Sequence, residues 1–189
     1  MLSDLRASRG FSLLELLAVV GILGIMMAVA APNFTLWIAN SRVRTTAESI
    51  QNGLMLAKAE AVRRNVKVQF VLTSTAPSAA NVNTVVAATG GTGWMVRVYR
   101  SGASPTYTSA DFIQGRSVAE GGANTTIAGG QSAFVFSGVA RLSPIPAATV
   151  NINVTGTGAD RPLRIAVTQG GAIRMCDPGL SIATSTMGC

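Results

Sequence analysis

The chain contains no histidine, and only eight of its 189 residues are acidic. Without imidazole, and with acids this sparse, there is little material for general acid/base catalysis or for a metal centre. No glycine-rich phosphate loop and no nucleophile motif appears. Asp111, Glu120, Asp160 and Asp177 fall in expected loops with no recognisable partner. An enzyme, a catalytic residue, a bound metal and a cofactor are therefore all unexpected. Aromatic residues make up only 5% of the chain, which leaves few rings for stacking on single-stranded nucleic acid. Cysteine is nearly absent too. The two present, Cys176 and Cys189, lie at the C-terminal end.

What is abundant is apolar sequence. The chain is 48% hydrophobic and only 12% charged. From residue 16 to residue 41 no side chain is charged. A run of this length exceeds the roughly 20 helical residues that cross a bilayer core. Arg6 and Arg9 precede it, and positive charge on that flank assigns the N-terminus to the cytoplasm. One carboxylate, Glu15, stands at the entrance of the run. A carboxylate at membrane depth is costly and points to function, with a glutamate snorkelling to the headgroups as the plainer alternative.

From residue 12 the pattern predicts a helix through about residue 64, some 80 Å if continuous. Gly21 and Gly24 lower its propensity, and Pro32 removes a backbone donor and predicts a kink. In the second half Val43, Ala47, Ile50, Leu54, Ala57 and Ala61 recur at spacings of three and four. This stripe should pack on whatever follows.

Beyond Asn65 the period changes to two. Val66, Val68, Phe70 and Leu72 alternate with Lys67, Gln69 and Thr73, the pattern of a half-buried strand. Residues 77–93 read as a long loop with a short strand at 84–87. Further strands are expected at 94–100, 112–116, 125–127, 133–136, 149–155, 163–168 and 172–176, between Gly/Pro-rich turns. The fold class is α+β: a long N-terminal helix on an antiparallel β domain. The expected organisation is a leader at 1–10, a membrane and assembly helix at 11–37, an amphipathic helix half at 38–64 and a β-rich domain at 65–189. Two cysteines after an export-type segment read as a disulfide in an oxidising compartment, the alternative being two free thiols.

The stretch Gly10-Phe11-Ser12-Leu13-Leu14-Glu15 resembles the cleavage and methylation signature of type IV prepilins and type II secretion pseudopilins. The resemblance implies cleavage after Gly10 by prepilin peptidase and N-methylation of Phe11. It also implies a role for Glu15 in assembly, paired with the N-terminal amine of Phe11 in its own or a neighbouring subunit. An uncleaved signal anchor would have the same topology; the Gly10-Phe11 junction and Glu15 distinguish the two readings.

A narrower resemblance, to the GspH/FimT/FimU group, rests on two stretches. One is Ala57-Lys58-Ala59-Glu60-Ala61 with Arg63-Arg64-Asn65, and the other is Arg174-Met175-Cys176-Asp177-Pro178. This group implies an inner-membrane subunit with a periplasmic domain, assembling with other pilins or pseudopilins. Its role would be a minor pilin that initiates or caps a type IV pilus, or the H-type pseudopilin of a type II secretion system. A third implied role is binding DNA during natural transformation, since FimT-like relatives often carry Gly-Arg-x-Arg near the end. The corresponding stretch here is Gly171-Ala172-Ile173-Arg174, with alanine at the first arginine position. The net charge of +7 favours acidic partners, and Arg161, Arg164 and Arg174 are the candidate DNA contacts.

Overall fold

A computed structural model describes residues 11–102, 105–120 and 124–189. The expected leader, with Gly10, lies outside them. Helix α1 (Leu13–Arg64) begins where the Ser12 side chain accepts a hydrogen bond from the Glu15 backbone N–H at 3.2 Å. This satisfies one of the first-turn donors, and the Glu15 carboxylate sits at the positive end of the helix dipole. The helix stops at Asn65, which takes a left-handed conformation at φ 52° and returns its N–H to Ala61 and Val62. Between Leu13–Ala28 and Asn33–Arg64 the axis bends by 42°.

Among the described residues eight strands follow, in two four-stranded antiparallel sheets. The first has the order β3-β2-β1-β5, from β1 (Val68–Thr73), β2 (Gly93–Val98), β3 (Phe112–Arg116) and β5 (Ala133–Phe136). The second has the order β4-β6-β7-β8, from β4 (Thr125–Gly129), β6 (Val150–Gly156), β7 (Leu163–Val167) and β8 (Ile173–Cys176). Register places Phe70 opposite Val96 and Phe134, and Ile165 opposite Ile152 and Met175.

All six residues of the predicted stripe are fully buried. They join Phe70, Trp94, Phe134, Phe136, Ile152 and Ile165 in one core shared by the helix and both sheets. The helix approaches the first sheet closely at Gly53. A Cβ there would stand 2.7 Å from a Phe70 ring carbon and 2.9 Å from the Trp94 indole. Gly156 serves the second sheet in the same way, its missing Cβ lying 2.7 Å from a Val43 methyl.

Two expectations need correction. Strand β1 is buried on both faces, since Val71 and Thr73 are as inaccessible as Phe70 and Leu72. The expected strand at 84–87 does not form. Both departures have one cause: residues 74–92 fold back over the outer face of the first sheet. Asn81 organises this loop, accepting from the Ser78 N–H and donating to the Ala76 carbonyl. Val82 and Val85 then join Met95 and Tyr107 in a second apolar cluster. Arg97 is buried beside it, with its guanidinium 3.7 Å from the Tyr107 ring centroid and donating to the Val82 carbonyl. Burial pushes the pKa of this guanidinium down.

Candidate assembly surface

Among the described residues nothing covers residues 13–28 of α1. Phe11 is 85% exposed, and Leu13, Leu14, Leu16 and Leu17 are all more than 60% exposed. They fall at positions 11, 13, 14, 16 and 17, and Val19, Val20, Ile22 and Leu23 are exposed beyond them, so the apolar surface extends around the helix rather than along one stripe. A helix apolar on every side belongs in a lipid or protein environment. No single helix among the described residues is long and apolar enough to cross a membrane alone, but the two bent halves qualify together. Glu15 is exposed in the first turn, one turn from Phe11. Pro32 falls in the short segment between the two halves.

The second half of α1 is fixed to the β domain by polar ties as well as by the apolar core. Trp94 Nε1 donates to Ser49 Oγ at 2.8 Å, and Lys58 Nζ donates to the Gly171 carbonyl at 2.9 Å. Asn40 donates to Asp160 Oδ1 at 2.7 Å and accepts from the backbone N–H groups of Asp160 and Arg161. A load applied to the apolar half therefore reaches both sheets through the helix. The sequence offered no signal for these ties, because each joins residues at least 45 positions apart.

Cys176 and Cys189 are joined, with Cα atoms 5.2 Å apart. The disulfide closes a loop that is also held by Asp177 N–H to the Met187 carbonyl at 2.7 Å. Arg174 belongs to this fastening, because its guanidinium donates to the carbonyls of Gly188 and Thr186 at 2.7 and 3.1 Å. Arg164 donates to Asn153 Oδ1 at 2.7 Å. Arg164 and Arg174 share the outer face of the second sheet, Arg164 opposite Cys176 and Arg174 opposite Ala166. Arg161 lines a cleft of about 400 Å³ together with Trp37, Leu180 and Met187. Two of the three guanidinium groups, those of Arg164 and Arg174, thus make intramolecular hydrogen bonds.

A half-exposed helix carrying its own β domain defines a pilin-like α+β subunit. A family model described as type II transport protein GspH matches residues 46–171. A second, the prokaryotic N-terminal methylation motif, matches residues 5–31. The chain belongs to the GspH family of pilins and pseudopilins, structural subunits anchored in the membrane through the N-terminal helix.

Among solved structures, the type IV minor pilin FimU of Pseudomonas aeruginosa matches in one crystal form with a TM-score of 0.52 and 15% identity, covering 71% of this chain and 88% of FimU. This likeness extends to the fold. A second crystal form of the same protein gives a TM-score of 0.49 at 17% identity, covering 70% and 90%. The solution structure of E. coli GspH gives 0.43 at 13% identity, covering 74% and 90%.

Proposed function

We propose that this protein is a minor pilin that helps initiate or cap a type IV pilus. The observation that carries the reading is the all-round apolar exposure of the first half of α1, on a domain whose core is closed by the second half of the same helix. Prepilin peptidase cuts between Gly10 and Phe11 and methylates Phe11. The C-terminal domain faces the periplasm. In the assembled fibre the apolar half of α1 packs against the same region of neighbouring subunits. Glu15 then meets the terminal amine of Phe11, its own or a neighbour's. A carboxylate taken into that environment needs a cation close by, and the new amine supplies one. Pro32, lacking an N–H, sets the bend that lets the anchor and the domain-bound half take different directions.

The H-type pseudopilin of a type II secretion system is the second reading, favoured by the family model that matches residues 46–171. Deletion of the gene separates them. Loss of surface pili with secretion intact supports the pilus role, and loss of secretion with pili intact supports the pseudopilin. Glu15→Leu tests what the two readings share. The variant should be cleaved and membrane-retained yet absent from fibres, as read by immunoblots of membrane and sheared-fibre fractions. Its normal incorporation would overturn the role given to Glu15.

A further inference from the structure

The disulfide-closed C-terminal loop carries apolar side chains left open among the described residues: Leu180 is 43%, Met187 52% and Ile182 59% exposed. Such exposure is unexpected in a tail held by a covalent bond, by Arg174 and by backbone pairing to Asp177. Its position gives the reason. Leu180 and Met187 line the same cleft as Trp37 of α1, itself 65% exposed. Trp37 stacks on Phe34, with ring centroids 5.9 Å apart.

Counted from Leu13, about 20 residues of helix cross the hydrocarbon layer, which ends that layer beside Pro32. Trp37 then stands about 8 Å further along the axis, at the depth where amphipathic rings collect. The loop shares that depth because it shares the cleft. Charges of both signs rim the patch. Arg44 is paired with Glu48, and Arg161 lies near Asp160 and Asp177. A mixed rim suits a zwitterionic headgroup layer and gives no net pull toward an anionic one.

We infer that the loop is a second membrane contact: Leu180 and Met187 enter the outer headgroup region of the bilayer beside Trp37. The contact seats the β domain on the membrane before the subunit leaves for the fibre. It rests on the membrane-anchor reading above.

The test uses the full chain with Trp37→Phe and Leu180→Trp, reconstituted into phosphatidylcholine vesicles brominated on the first acyl carbons below the headgroup. Trp37→Phe alone is the control, leaving only the core residue Trp94 to report. The new tryptophan should lose most of its emission, the control should not, and high salt or added anionic lipid should change neither. If the protein floats with the vesicles but residue 180 is unquenched, the loop contact is wrong and the anchor stands. If quenching disappears in high salt, the apolar contact argued here is wrong. If the protein does not float with the vesicles, the anchor reading fails and the loop contact fails with it.

Discussion

Single residues decide how closely the parts of this protein approach. Gly53 is the clearest case. A methyl group there meets two buried rings, and overpacking of this kind costs about 1–3 kcal/mol. Alanine recovers about 1 kcal/mol of helix propensity over glycine. Because Phe70 and Trp94 are both packed in the core, the steric cost should win. Gly53→Ala is expected to lose about 1 kcal/mol net, read as a lowered denaturation midpoint of the detergent-solubilised chain. Asp111 sets a second residue-scale expectation. It is buried, accepts from Arg100 at 2.6 Å, and also caps Thr108. The Arg100 guanidinium beside it holds its carboxyl below the ordinary value of 3.8. A depressed folded pKa means the stabilisation is complete above the unfolded value and fades as pH falls through the folded one. Acid titration should show the wild type losing stability below pH 3.8. Asp111→Asn should be less stable at neutral pH and flatter through that acid range.

At the scale of elements, the disulfide loop has no core of its own and depends on its fastening. Replacing both Cys176 and Cys189 with serine removes the closure of a loop with a sequence separation of 13. The chain-entropy model puts the cost at about 3 kcal/mol. Hydrogen exchange should rise in residues 177–189 well before it rises in β1 or β6. The elements differ in how far their sequence foretold them. Helix α1 was legible because its stripe obeys one period from Val43 to Ala61, whereas its caps at Ser12 and Asn65 emerge only in the structure. The strands were legible from alternation between glycine turns. The cover over the first sheet was not. Val82 and Val85 sit in an Asn/Thr-rich stretch with no period, and their burial depends on a turn built by Asn81 and on Arg97 being held by Tyr107. Arg174 reads as an exposed basic residue, yet its partners are main-chain carbonyls 12 and 14 positions away. Side-chain type carries no information about such partners.

At the scale of the whole molecule, the chain divides its apolar surface between two uses. One stripe of α1 closes a core with two sheets, and the first half of the same helix stays open on every side. That division defines a subunit whose folding is complete and whose assembly is not. Much of it was legible at the N-terminus, where residues 5–31 match the methylation motif and the apolar run follows directly. We propose that a leader is removed in front of this open helix, which is then held in the membrane. The mass of the N-terminal peptide, taken from protein extracted from membranes of cells that make it, decides the matter. The expected chain begins at N-methylated Phe11. A chain that keeps Met1, or that begins beyond the apolar run, would contradict it.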